Sequence, residues 1–180
     1  FSFLLLVTAL VMSFTMTSSD FKEIAIGSKI PQADRKMKGI DGKEVSLNEL
    51  KQKNGLLVIF SCNTCPFVVG GKDFPGWEKD YNGLFETTSN NSIGMVLLNA
   101  NEAKRNDEDS FESMKAHAAA KAYKMPYLVD EKSESANLFG ARTTPHVFLF
   151  NGNGELVYKG SIDNSWDPKR KQDAHYLNSA

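Results

Sequence analysis

The chain has 180 residues, 41% of them hydrophobic and 24% charged, with a formal net charge of −1. A chain of this size can bury about 68–70% of its unfolded surface without a staple, and the composition excludes a disordered tail, a collagen-like repeat and a multi-span membrane protein. The charge balance offers no general attraction for nucleic acid or anionic lipid, and two cysteines are too few for a disulfide scaffold or a four-thiolate zinc site.

Residues 1–16, FSFLLLVTALVMSFTM, carry no charge. The run is short for a spanning helix, which needs about 20 apolar residues. It suits the apolar core of a secretory signal peptide, with small residues such as Thr17 and Ser19 behind it. Residues 1–19 are therefore expected to be a signal peptide and 20–180 the working domain. Export places that domain in a periplasmic or otherwise extracytoplasmic, secreted setting, where the surroundings are oxidising. A membrane would be met only through an uncleaved N-terminal segment.

From Phe21 onward strand and helix patterns alternate. Met37–Ile40 and Glu44–Leu47 flank Asp41-Gly42, a hairpin turn signal. Leu56–Phe60 is a continuous apolar run of the kind buried on both faces of a sheet. Pro66 to about Val69 can open a helix, but Gly70-Gly71 and Pro75-Gly76 predict a break before Trp77–Phe85. Ile93–Leu98 is a second buried strand. Asp109 with Glu112 resembles a capping box before a helix over roughly Ser110–Tyr123. Tyr127–Val129 is a short strand, and Ser133–Phe139 a short helix stopped by Gly140. His146–Phe150 and Glu155–Tyr158 flank Asn151–Gly154, another hairpin, and the polar tail from Asp167 to Leu177 is expected to be helical. This order predicts an α/β sandwich around a central mixed sheet.

Cys62 and Cys65 sit where a buried strand ends and a helix begins. A helix N-terminus favours a thiolate, and a spacing of three brings the second sulfur within reach of the first. Cys62, at the start, is expected to be the exposed attacking thiol. Cys65, a turn deeper, is expected to be the desolvated resolving thiol. A lone CxxC is also compatible with a structural disulfide, although a loop so short constrains the unfolded chain little, or with half a metal site. No second CxxC and no cysteine–histidine pair at finger spacing accompanies it. His117 and His175 read as surface residues. Phe67, Phe74 and Trp77 read either as an apolar docking rim or as core.

Thr143-Thr144-Pro145 precedes the strand at His146, where a proline is tolerated. Taken together, FSCNTCPF, LLNAN, EDSFESMKAHA, PYLVDEKSESANLFGARTTP and FLFNGNGELVYKGSID resemble the redoxin-type, peroxiredoxin-like members of the thioredoxin superfamily that carry CNxCP. The resemblance covers about residues 25–165. It implies an α/β thioredoxin-like three-layer sandwich with a central mixed β-sheet and an N-terminal β-hairpin extension. It also implies that Pro145 is cis and opposite the cysteines, and that the Thr144 backbone pairs with a bound substrate strand. The implied activity is thiol-disulfide exchange through Cys62 and Cys65, with no cofactor and no metal beyond the Cys62–Cys65 disulfide itself. Its implied partners are protein thiols or disulfides and a separate redox partner, not nucleic acid. Two departures stand out. Phe60-Ser61 replaces the tryptophan expected before the first cysteine, and Leu56–Phe60 holds no buried acid.

Peroxide reduction is the alternative activity. Peroxiredoxins, to which the chain is similar, place Pro and Thr or Ser seven and three residues before the reactive cysteine. Here those positions hold Gly55 and Ile59 for Cys62, and Val58 and Cys62 for Cys65. Arg142 and His146 are accessory candidates for stabilising a thiolate. A third reading is a non-catalytic thioredoxin-fold module whose CxxC takes a metal.

Overall fold

The computed structural model describes residues 22–180; the signal peptide expected over residues 1–19 lies outside them. The chain first makes the expected antiparallel hairpin, β1 (Lys36–Lys38) against β2 (Glu44–Ser46), with Lys38 opposite Glu44. The Asp41 carboxylate closes its turn by accepting the Lys43 N–H at 3.1 Å. A helix that periodicity did not suggest follows at once, α1 (Leu47–Leu50). It is short, so local capping decides it: the Ser46 hydroxyl accepts the Glu49 N–H while Glu49 accepts the Ser46 N–H.

The central sheet runs β5 (Tyr127–Val129), β4 (Ile93–Asn99), β3 (Gly55–Ser61), β6 (His146–Asn151) and β7 (Leu156–Gly160) in spatial order. β3, β4 and β5 are parallel; β6 and β7 join antiparallel, with Phe60 opposite His146. Every residue of β3 is buried, as a strand covered on both faces requires.

Alternate residues of β3 face two different cores. Leu57 and Ile59 point to one side, where α3 (Tyr81–Asn90) and α4 (Phe111–Ala120) bring Tyr81, Met114 and Ala118. Leu56, Val58 and Phe60 point to the other, against Leu47 of α1, Met37 of the hairpin and Phe139 of α5 (Glu134–Phe139). There Phe60, Phe139, Phe148 and Phe150 interlock edge to face at centroid distances of 5.2–5.8 Å. The result is the three-layer thioredoxin-like fold with a mixed sheet and an N-terminal hairpin. Gly94 lets α1 close on β4, because a Cβ there would lie 2.0 Å from the Leu50 carbonyl oxygen.

The tail departs from expectation. From Asp167 to Tyr176 it forms turns, and only Leu177–Ser179 make a single 3-10 turn. The reason is local competition: Asp163, Asn164 and Asp167 side chains accept the backbone N–H groups of Ser165, Ala174 and Lys169 at 2.8 Å each, bonds that hold turns rather than helix. Among the described residues, no helix is long and apolar enough to cross a membrane.

Candidate active site

β3 delivers Cys62 at its C-terminal end, and α2 (Pro66–Val69) begins just after Cys65. The expected helix is only four residues long. Gly70 ends it with φ 92°, and a Cβ there would meet the Pro75 carbonyl oxygen at 2.6 Å. One turn of helix supplies little dipole, so the expected lowering of the Cys62 thiol does not arise. Burial instead pushes that thiol up, against hydrogen bonds from Thr144, Thr64 and Cys65 that pull it down, and the nearby Asp109 charge adds to the rise. The expected exposure order is also reversed. Cys62 is 3% exposed, whereas Cys65 is partly open. Strand geometry explains this: Cys62 packs into the core formed by Ile59, Tyr81 and Val147, while Cys65, at the N-cap of α2, is only partly buried against that core.

Both cysteines are free thiols, and both meet Thr144. Cys62 Sγ lies 3.3 Å from the Thr144 hydroxyl and accepts the Cys65 N–H at 3.2 Å. The Cys65 thiol donates to the Thr144 carbonyl oxygen at 3.0 Å. The Thr144–Pro145 bond is cis, as the resemblance implied. The Thr144 hydroxyl was not legible in the sequence; only its backbone had an expected role. Thr144→Val should leave the fold intact and slow alkylation of Cys62 at pH 7 about tenfold, the order expected for losing one hydrogen bond to a charged sulfur. A rate equal to wild type would show that the hydroxyl does not act on Cys62.

The two accessory candidates separate. Arg142 lines the same cleft as the cysteines, a hollow of about 540 Å³ also bordered by Thr64, Asn101 and Thr144. His146 does not face Cys62. Alternation along β6 turns its ring to the other core, 4.6 Å from the Phe148 ring, with Nε2 4.0 Å from Glu23 and Nδ1 accepting the Arg142 N–H at 3.2 Å. Burial holds its imidazole below the usual range. Trp77 belongs to the core at 4% exposure, stacked on Phe67 and edge to face with Phe74, and Phe67 alone of the trio is exposed.

Beneath the Cys62–Cys65 turn lies a polar core that sequence reasoning missed. Asp109, expected to cap a helix, is fully buried; Ser110 caps α4 in its place by accepting the Ser113 N–H. The Asp109 carboxylate accepts the Asn63 N–H at 2.7 Å, Asn99 Nδ2 at 2.6 Å, Asn101 Nδ2 at 2.7 Å and the Thr64 hydroxyl at 3.3 Å. Tyr127 donates its hydroxyl to Asn63 Oδ1 at 3.0 Å. The available signal was Asn99-Ala100-Asn101 at the end of a buried strand, where two amides have no apolar purpose. Among the described residues no three His, Cys, Asp or Glu side chains gather as a metal site would require.

A mixed five-stranded sheet with a dithiol at the tip of its central strand, facing a cis-proline, defines the thioredoxin-fold class. Within it, the chain belongs to the redoxin family, whose model matches residues 25–176. Solved structures agree with the fold. An uncharacterized conserved protein from Geobacillus kaustophilus is 30% identical, with a TM-score of 0.72 over 82% of this chain and 74% of that one. A hypothetical protein from Sinorhizobium meliloti 1021 is 28% identical, with a TM-score of 0.73 over 88% and 81%. The thioredoxin domain of a thiol-disulfide oxidoreductase from Bacteroides vulgatus is 17% identical, with a TM-score of 0.58 over 77% and 90%. No curated protein matches the chain. Membership of the redoxin family supports an oxidoreductase.

Proposed function

We propose that the protein is an extracytoplasmic thiol-disulfide oxidoreductase that works through a Cys62–Cys65 dithiol/disulfide couple. The observation that carries this reading is the convergence of both sulfurs on Thr144, one on its hydroxyl and one on its carbonyl, at the mouth of an open cleft. The uncharged apolar run over residues 1–16 supports the location.

In the reducing direction Cys62, once deprotonated, attacks one sulfur of a substrate disulfide. The substrate's S–S bond breaks, one substrate thiolate leaves, and a mixed disulfide forms at Cys62. Cys65 then gives up its proton, attacks Cys62 Sγ and releases the second substrate thiolate. Two electrons pass to the substrate and the Cys62–Cys65 disulfide remains, to be reduced by an external dithiol. The hydrogen bonds support this order of roles. Cys62 Sγ accepts the Cys65 N–H, as a thiolate does, whereas the Cys65 proton is held by a carbonyl. Leaving Thr144 for substrate frees its carbonyl to pair with an extended partner strand, and Pro145 shapes that backbone. The partners are proteins that carry exposed disulfides or thiols.

The test is reduction of insulin disulfides by the fully reduced protein, followed as loss of its two thiols. One disulfide reduced per dithiol consumed supports the reading. Thiols that stay intact in the folded protein defeat it.

The Thr144 hydroxyl and Arg142 on the cleft wall also give Cys62 a hydroxyl and a cation, which a thiol peroxidase needs. Such a reaction would convert the Cys62 thiolate and a hydroperoxide into a sulfenic acid and an alcohol or water. The proline and hydroxyl residues expected seven and three positions before a peroxidatic cysteine are Gly55 and Ile59 here, so oxidation by hydrogen peroxide in stopped flow should be far slower than a dedicated peroxidase. A rate rivalling such enzymes would reverse the ranking.

A further inference from the structure

We propose that Asp109 is a positioning residue for Cys62: its buried carboxylate holds the Asn63–Thr64 turn in place and opposes negative charge on the Cys62 sulfur, biasing the couple toward donating electrons. This rests on the reading of Cys62 and Cys65 as an exchange couple.

The geometry is specific. Asp109 and Asn99 are fully buried. All four partners of the carboxylate are donors. Thr64 is among them because its hydroxyl oxygen already accepts Asn101 Nδ2 at 3.3 Å, which leaves its proton for Asp109. Four donors and no acceptor fit an ionised carboxylate, not a protonated one. Two of the four come from the dipeptide between the cysteines, Asn63 N–H and Thr64 Oγ1. A second tie clamps the same dipeptide, as Asn63 Nδ2 donates to the Glu108 carbonyl at 2.8 Å. The turn that aims the Cys65 N–H at Cys62 Sγ is therefore fastened to the segment entering α4, not to its own short helix.

The charged and titratable groups around Cys62 come from every neighbouring element. Tyr81 of α3 and Tyr127 of β5 are buried phenols pushed up by desolvation, so both are neutral. Cys65 adds a thiol that donates to Thr144. Arg142 lines the cleft that Cys62 borders, whereas His146 faces the opposite core. Arg105 is a cation beside Asp109, but it bonds the backbone: Nη1 donates to the Asp109 carbonyl at 2.9 Å and Nη2 to the Asn99 carbonyl at 2.7 Å. It softens the carboxylate's field without neutralising the carboxylate itself. A like charge in a low-dielectric site disfavours a thiolate, in keeping with the Asp109 contribution at Cys62. A couple whose reduced form gains no thiolate stabilisation at neutral pH is a reductant, the reverse of strong oxidants whose reduced form is stabilised.

The test uses the full chain in a Cys65→Ser background, so that iodoacetamide reads Cys62 alone. Asp109→Asn, which keeps an acceptor for the turn, should lower the pH midpoint of alkylation by up to about one unit. Its high-pH plateau should stay within about threefold of the parent, as the dependence of nucleophilicity on basicity requires. A midpoint that stays put or rises in folded protein overturns the proposal. Arg105→Gln leaves the carboxylate and its donors in place and carries the test if the first variant does not fold. It should raise the midpoint, and an unchanged or lower one overturns the proposal. In the parent with both cysteines, equilibration with glutathione at pH 7 should favour the protein disulfide; an equilibrium lying toward the dithiol overturns the directional claim. Alkylation needs no partner, so a failure of insulin reduction would sink the exchange function while leaving the Asp109 result readable.

Discussion

A Cys65→Ser protein is expected to accumulate covalent adducts with disulfide-bearing partners, visible on a non-reducing gel and released by dithiothreitol. Attack by Cys62 still forms the mixed disulfide, but the intramolecular thiol that resolves it is gone. In the wild type that thiol is held beside Thr144, so its effective concentration exceeds that of any free thiol in solution. Cys62→Ser should give no adducts, and exchange should fall to the uncatalysed background. The burial of Cys62 makes this more than a formality. Cys65 is the more accessible sulfur, and a role set by exposure alone would give the reverse pattern, with adducts in Cys62→Ser. Adducts only in that variant would transfer the attacking role to Cys65.

The second large effect lies away from the site. Glu78 is 6% exposed and gathers the α4 side of the molecule around its carboxylate. The Tyr123 hydroxyl donates to it at 2.5 Å, Lys121 Nζ pairs with it at 2.7 Å, and His117 Nε2 is in direct contact. These partners outweigh desolvation and hold the carboxyl at about 2. Relative to its ordinary value of 4.5, that shift sets an upper bound of about 3 kcal/mol on its contribution to folding stability. Because the unfolded chain takes up the proton first as pH falls, this stability is present above pH 4.5 and lost as pH drops through about 2. Glu78→Gln should therefore lower Tm by about 5–10 °C at pH 7, and its stability should lose much of the wild type's fall between pH 5 and pH 2. A variant as stable as wild type at pH 7, with the same acid profile, would show that the cluster contributes nothing net. His117 is not the surface residue expected of an alanine-rich helix; its ring meets the buried Glu78 carboxylate and ties α4 to the turn at residues 78–80.

What could be read in advance divides by the range of the interaction. The strands at Leu56–Phe60 and Ile93–Leu98, both hairpins, the break after Val69 and the stop at Gly140 all rest on apolar runs, turn residues and glycine, whose effects act within a few residues. So did the position of Cys62 and Cys65 between a buried strand and a proline-led turn. The fold class followed from that order, with the thioredoxin resemblance adding the cis Thr144–Pro145 bond.

The tertiary structure alone decided which sulfur is buried, and it did so against the local argument. A helix N-terminus would have favoured a Cys62 thiolate, but the core around Ile59 and Tyr81 enclosed the sulfur. It also brought Thr144 to both cysteines, turned His146 to the opposite face, and drew Asp109 from a helix cap into a buried hub under Asn63 and Thr64. The contacts of Thr144 with the cysteines and of Asp109 with Asn63 and Thr64 join residues 45 to 82 positions apart. Sequence periodicity says which face of an element is apolar, but not which distant polar group will meet it there, because a buried donor or acceptor must find its partner wherever the packed chain supplies one.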